Sequence, residues 1–188
     1  MKKIIIFIIL FSSTISNISA EEIKRIFVGN KDAQITIIAF ESLTCSHCAN
    51  FHKDVFPELK KEYLDTGLAK IEFRHFPLDI AAFNASKVSQ CNNDGDSNIL
   101  NSLFANQQKW VKGNSIEEAN KNLQKFLVNE GYDLDFEKCI NDKEIEDFVL
   151  NDRIDGVKKF KVNATPTIII NNEKFEKTLN YKNLKKAL

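Results

Sequence analysis

The 188-residue chain carries no excess of charge of either sign: 26 Lys and Arg stand against 26 Asp and Glu. That balance removes the electrostatic reason for a partnership with nucleic acid, which a basic face would supply. Beyond Phe11 no apolar run approaches the roughly 20 residues that a membrane-spanning helix needs. There is no internal repeat and no low-complexity tract, which excludes solenoid arrays and compositionally disordered classes. Prolines number only three: Pro57 interrupts a helical pattern, Pro77 ends a strand pattern and Pro166 precedes one. Histidines also number three and cysteines four, few enough for each to be weighed singly.

The N-terminus runs from the basic Met1-Lys2-Lys3 through the apolar stretch Ile4 to Phe11, then Ser12-Ser13-Thr14, to Ile18-Ser19-Ala20 and the acidic Glu21-Glu22. This order predicts a secretory signal peptide over residues 1–20, cleaved after Ala20. No cysteine follows the apolar run, which argues against a lipid anchor of the lipoprotein kind. Removing Lys2 and Lys3 leaves 24 basic against 26 acidic residues in about 168, a length that suits one domain or one domain with an insertion. Export places Cys45, Cys48, Cys91 and Cys139 in an oxidising compartment, where an even number of cysteines signals disulfides.

Ile35-Thr36-Ile37-Ile38-Ala39-Phe40 reads as a short buried strand, and Phe51, Val55, Phe56, Leu59 and Tyr63 recur at helical spacing. Between them lies Glu41-Ser42-Leu43-Thr44-Cys45-Ser46-His47-Cys48, so two thiols sit at a strand-to-helix junction. A cysteine at a helix start faces free backbone N–H groups and the positive end of the helix dipole, both of which favour thiolate. Cys48, one turn later, shares its face. With that spacing one sulfur can attack a partner disulfide while the other resolves the mixed disulfide. The same spacing is also half of many zinc sites.

Ile23 to Val28 predicts a leading strand and Lys70 to Phe76 another, the latter ended by Pro77. From Ala81 to Asn151 the pattern is helical, with helices expected over residues 81–91, 98–110, 115–130, 133–140 and 141–160. Ser115 with Glu118, and Asn141 with Glu144, have capping-box spacing. Thr167 to Ile170 returns to strand, Asn171-Asn172 marks a turn, Lys174 to Glu176 can run back antiparallel, and Tyr181 to Leu188 closes as a helix. The fold class is therefore α/β, its sheet-forming parts flanking a helical block.

Thr44-Cys45-Ser46-His47-Cys48, Phe56-Pro57-Glu58-Leu59, Phe73-Arg74-His75-Phe76-Pro77-Leu78 and Val162-Asn163-Ala164-Thr165-Pro166-Thr167, in this order, span nearly all of the chain after the leader. The set resembles the thioredoxin superfamily, and within it the secreted bacterial thiol:disulfide oxidoreductases of the DsbA type. The resemblance implies a thioredoxin fold with an inserted helical domain: residues 21–80 and 152–188 form the thioredoxin domain and 81–151 the insertion. It makes Cys45 the nucleophile, Cys48 the resolving thiol, and Pro166 a cis-proline whose loop, with Thr165, packs by the sulfurs and pairs with extended substrate. His47, as an imidazolium near Cys45, favours the thiolate and hence an oxidising disulfide. Some members carry a second disulfide in the helical region, which here pairs Cys91 with Cys139. The implied activity is a periplasmic dithiol oxidase acting on unfolded or reduced exported proteins as a monomer. A membrane partner of the DsbB type reoxidises it, and neither cofactor nor metal is required.

Two departures stand out. Ser46 occupies a position where DsbA proteins usually have proline. Many members also carry a buried acid six residues before the first cysteine, where this chain has Ala39. Glu41, two residues on and hence on the same strand face, is the candidate to replace that acid in proton transfer, although a strand-end glutamate is ordinarily exposed. His52 and His75 are read as a helix-surface residue and a strand-end packing residue. Two rivals stay open: a reductase or isomerase of the same fold, and a metal or copper chaperone using Cys45, Cys48 and a histidine.

Overall fold

The computed structural model describes residues 23–91 and 95–188. The leader expected over residues 1–20 lies outside the described residues. β1 (Phe27–Gly29), β2 (Ile35–Glu41), β3 (Ala69–His75), β4 (Thr167–Ile170) and β5 (Glu173–Lys174) make one sheet in the order β1-β3-β2-β4-β5. β2 runs parallel to β3, from Ile35 opposite Ala69 to Glu41 opposite His75, and antiparallel to β4. A parallel pair needs a crossover, which α1 (Ser46–Asp54) and α2 (Phe56–Leu59) supply. β2 is apolar and β-branched on both faces because helices cover both.

The helical segment after the cysteines breaks at Val55 and restarts with Pro57 in the first turn of α2, where a missing N–H costs nothing. It ends in a π-helical turn over Lys60–Leu64. The helical block holds α3 (Ile80–Gln90), α4 (Asn98–Ala105), α5 (Gln107–Trp110), α6 (Ile116–Asn129), α7 (Phe136–Asn141) and the first part of α8 (Lys143–Phe160). Asp79, Ser115, Asp135 and Asp142 cap α3, α6, α7 and α8 through their side-chain oxygens. After β5, α9 (Tyr181–Lys185) closes the chain.

Several expected boundaries move, each for a local reason. Of the strand expected over residues 23–28 only the end pairs as β1. Arg25 is instead tied to Asp152, and the Lys24 carbonyl accepts from Gln90 Nε2 at 3.1 Å. The helix expected over residues 98–110 splits at Asn106, whose side chain bonds the Ser102 carbonyl at 3.0 Å in competition with the helical ladder. The cap of α8 is Asp142, one residue past Asn141, and it accepts from Glu144 and Ile145. The β4–β5 hairpin turns on Asn171 and Asn172, both at positive φ (47° and 71°), as a two-residue primed turn requires.

The core is continuous through sheet and helical block. On one sheet face Ile37, Ala39, Ile71 and Phe73 pack with Cys48, Phe51, Leu103, Phe104 and Trp110; on the other, Ile38, Phe40, Phe76, Val162 and Ile169 pack together. Gly156 lets α8 approach that second face: a Cβ there would sit 2.9 Å from the Phe40 ring. Gly29, at φ +103°, lies so near β3 that a Cβ would meet the Ala69 carbonyl at 2.4 Å. A disulfide between Cys91 and Cys139, with Cα atoms 5.5 Å apart, joins the end of α3 to α7.

Candidate active site

β2 ends at Glu41, and the four residues to Cys45 are held from three directions. Phe76 N–H donates to the Glu41 carbonyl (2.7 Å), and Leu78 N–H to Ser42 Oγ (3.3 Å). Thr44 Oγ1 donates to Asp79 Oδ2 (2.7 Å), the same carboxylate that caps α3. From the helical block, Gln107 Nε2 donates to the carbonyls of Leu43 (2.8 Å) and Cys45 (3.0 Å).

Cys45 is the N-cap residue of α1, in extended conformation, and its side chain forms no capping bond. Its half-buried sulfur therefore sits where the first N–H groups of the helix point. The Cys45 S–H donates to the Thr165 carbonyl at 3.4 Å, and the Thr165–Pro166 peptide bond is cis. The Cys45 thiol is lowered to about 5, chiefly because the Cys48 thiol donates to it. The Thr165 hydroxyl and the N–H groups of Cys48 and His47 add to this, against the opposing effect of burial. Thr165 Oγ1 is buried and has no hydrogen-bond partner beside the two free cysteines.

Cys48 is completely buried. Burial pushes its thiol far above the ordinary range, and the demand of Cys45 for its proton and the charge of Glu41 push the same way. The two sulfurs thus differ in character: one is accessible and readily ionised, the other closed off and strongly protonated.

His47 is exposed and lines a cavity of about 530 Å³ with Phe51, Thr165, Pro166, Leu179 and Tyr181. Its backbone N–H, rather than a ring contact, is what favours the Cys45 thiolate. Ser46 is likewise exposed, at the first turn of α1.

Ala39 is fully buried in the sheet, opposite Phe73 and Ile168. Glu41, two residues on, is not exposed as strand-end glutamates usually are: it is 4% exposed, and its carboxyl is raised by burial against the opposing pull of His52. The reason is local, since the Leu43 turn and α1 fold back over the strand end and close it.

His52 corrects the helix-surface reading. Its side chain is 6% exposed, and Nε2 is hydrogen-bonded to Glu41 Oε2 at 2.9 Å. The ring stacks on Phe104 of α4 with centroids 4.1 Å apart. Its position four residues after Cys48 already places it on the face of that sulfur. His75 is buried between β3 and α8, where its N–H donates to Asp152 Oδ2 (3.1 Å) and burial holds its imidazole below the ordinary range. Among the described residues no three of His, Cys, Asp and Glu are grouped to hold a metal ion.

Sequence reasoning did not single out Gln107, Asp79 or Ser42. Nothing in their local pattern marks them, because their partners lie on other elements.

The thioredoxin family model matches residues 21–188. A Rickettsia bellii protein named as a protein-disulfide oxidoreductase is 30% identical over 148 residues, covering 77% of this chain and 56% of its own length. Disulfide bond formation protein D of Bacillus subtilis is 26% identical over 171 residues, covering 86% of this chain and 74% of its own. The chain thus spans little more than half of the rickettsial relative. Among solved structures, alpha-DsbA1 of Wolbachia pipientis superposes with a TM-score of 0.77 at 31% identity, over 87% of this chain and 88% of that one. Oxidised BdbD of Bacillus subtilis has the same fold, with a TM-score of 0.70 at 23% identity over 87% and 90% of the two chains.

Proposed function

The chain belongs to the thioredoxin family, and on that footing we propose that it is a periplasmic thiol:disulfide oxidoreductase that introduces disulfides into exported proteins through Cys45 and Cys48. The observation that carries this reading is the asymmetry of the two sulfurs, Cys45 lowered to about 5 and Cys48 buried and protonated. Stabilising one thiolate stabilises the reduced pair, which makes the Cys45–Cys48 disulfide an electron acceptor; about 30 mV corresponds to 1.4 kcal/mol for this two-electron couple.

In the forward reaction a substrate thiolate attacks Cys45 Sγ, the Cys45–Cys48 bond breaks, and Cys48 leaves with the electron pair and takes up a proton. A second substrate thiolate then attacks the substrate sulfur of the mixed disulfide and expels Cys45 as the thiolate. The product carries the new disulfide and the enzyme is left reduced. Extended substrate lies against the backbone before cis Pro166, where the Thr165 carbonyl already faces Cys45. Glu41 takes the part of the buried acid that the family places at the position of Ala39. Cys91–Cys139 is structural.

The likeness to alpha-DsbA1 and the name of the Bacillus subtilis relative support disulfide formation. The leader-like residues 1–20 support export, and no helix among the described residues is long and apolar enough to cross a membrane. Substrates are reduced exported proteins, and a quinone-linked membrane partner of the DsbB type restores the disulfide. We assign residues 21–80 and 152–188 to the thioredoxin domain and 81–151 to the helical insertion, with α8 bridging the second boundary.

The test is the equilibrium potential of the Cys45–Cys48 pair against glutathione, with a Cys45→Ser control. A value well above about −270 mV, toward about −120 mV, identifies a disulfide donor. A value near the thioredoxin end identifies a reductase and ends the oxidase reading.

A further inference from the structure

α1 separates two grooves that both reach the Cys45 loop. One is the cavity of His47, Thr165 and Pro166, on the cis-proline side. The other, of about 740 Å³, lies between α1–α2 and α4–α5 and starts beside the nucleophile, since Ser46 follows Cys45 in the chain and Gln107 holds the Cys45 carbonyl. The two differ in chemistry. Leu179, Tyr181 and the carboxylate of Asp54 line the first. No carboxylate among the described residues lines the second, which instead carries a lysine on each wall, Lys53 of α1 and Lys109 of α5, and a set of side-chain amides. Much of this polar chemistry is unspent. Asn50, Lys53 and Gln108 are exposed and have no hydrogen-bond or ion-pair partner among the described residues, and Lys109 is held only by Glu130, at 3.7 Å. Below them the groove is apolar, with Ala49, Ala105, Phe56 and Phe104. Amides above an apolar floor suit an extended polypeptide, whose backbone groups must stay paired as its side chains leave water. Two cations with no anion between them add selection by charge.

We propose that this second groove binds an acidic flank of the reduced polypeptide that Cys45 engages, with Lys53 and Lys109 selecting its carboxylate. The inference rests on the reading of Cys45–Cys48 as the exchanging pair and deepens it by naming a substrate class. From Ser46 to Lys53 α1 rises about 10 Å, at about 1.5 Å per residue, which is the span of about three residues of extended chain. A carboxylate about three residues from the substrate cysteine therefore meets Lys53, with Lys109 on the facing wall, while Asn50 and Gln108 pair with the peptide groups between. The contact is non-covalent and leaves the flow of electrons and protons in the exchange as described. Its effect is on choice: thiols flanked at that distance by Asp or Glu are preferred to thiols flanked there by Lys.

The experiment measures how fast excess single-cysteine peptides reduce the oxidised full chain, two peptide thiols becoming one peptide disulfide as the Cys45–Cys48 bond becomes two thiols. Three peptides carry Glu, Gln or Lys at the third position on both sides of the cysteine. Each rate is divided by that peptide's rate with a small neutral disulfide, which removes the effect of the flanking charge on the thiol itself. At low salt the Glu peptide should exceed the Gln peptide by about three- to tenfold, as two solvent-exposed ion pairs allow, and the Lys peptide should be slowest. Combining Lys53→Gln with Lys109→Gln should bring the Glu peptide down to the Gln peptide, and about 1 M salt should do the same by screening. Equal normalised rates for the three peptides overturn the proposal. So does a Glu advantage that the double lysine variant keeps, or one that is as large with Glu at the eighth position, which marks general attraction to the protein. A double variant that slows all three peptides alike also overturns it, because the lysines then act on the sulfurs or the fold and not on a ligand. Reduction by dithiothreitol separates the two readings: a wild type that the dithiol reduces but that shows no preference among the peptides loses the groove and keeps the exchanging pair, and one that neither the dithiol nor any peptide reduces loses both.

Discussion

Gln107 of α5 reaches the Cys45 loop with one amide nitrogen, donating to the carbonyls of Leu43 at 2.8 Å and Cys45 at 3.0 Å. Through this contact the helical block, and not the sheet alone, sets where the nucleophilic sulfur stands. Replacing Gln107 by Leu leaves the Leu43 carbonyl without this donor inside the fold, a loss of about 1–3 kcal/mol. We expect a lower unfolding free energy in urea, together with a rise in the pH at which the Cys45 thiolate absorbance appears, because the loop no longer holds the sulfur over the helix N-terminus. An unchanged titration would show that α1 alone positions Cys45.

The ionisation of Cys45 makes stability depend on both pH and redox state. Its thiol lies near 8.5 in an unfolded chain and at about 5 in the fold, so the folded reduced form binds fewer protons than the unfolded one. Its contribution is present in full above about pH 8.5 and declines as the pH falls through about 5. The reduced protein should therefore gain stability relative to the oxidised protein as the pH rises from about 5 to about 8.5, above which the raised Cys48 thiol acts in the opposite sense. Urea titrations of both forms across that window check this, and a gap that does not vary with pH would refute it.

What could be read locally differs from what needed the third dimension. The apolar β2, the cysteines at the start of α1 and the Thr165-Pro166 pair before β4 each carry a short-range pattern that survives folding unchanged. Gln107 stands 62 residues from Cys45, and no periodicity links a glutamine in a helical run to a loop in the other half of the chain. His52 shows the same limit differently. Its spacing from Cys48 is visible, but its burial depends on Phe104, which α4 brings from another part of the sequence. Glu41 looked like a strand-end residue open to water, and the segment that closes over it becomes a cover only once the Ser42–Cys45 turn is pinned by Asp79 and Leu78.

The Cys91–Cys139 disulfide spans a sequence separation of 48 and joins α3 to α7, within the helical block. In the loop-entropy picture, its removal costs about 4 kcal/mol. Replacing both cysteines by alanine should lower the unfolding free energy by that order while leaving the potential of Cys45–Cys48 unchanged, since the bond ties α3 to α7 while the pair sits at the start of α1. A shift in that potential would instead make the bond regulatory.

Thr165 is where electrostatics and fold meet most directly. Its carbonyl accepts from Cys45, and its hydroxyl, buried and without a hydrogen-bond partner beside the free cysteines, is a donor to the Cys45 thiolate. Valine has nearly the same shape without the hydroxyl. In the reduced protein Thr165→Val removes a donor to the thiolate, so the Cys45 thiol should rise from about 5. That rise favours the disulfide, and the pair should become a weaker oxidant. Each unit of rise in that thiol corresponds to about 1.4 kcal/mol, and so to about 30 mV toward the reducing side. Thiolate absorbance against pH and equilibration with glutathione measure the two quantities independently, and they should move together. A thiol that rises with no change in potential would mean that the thiolate is not what sets the redox balance.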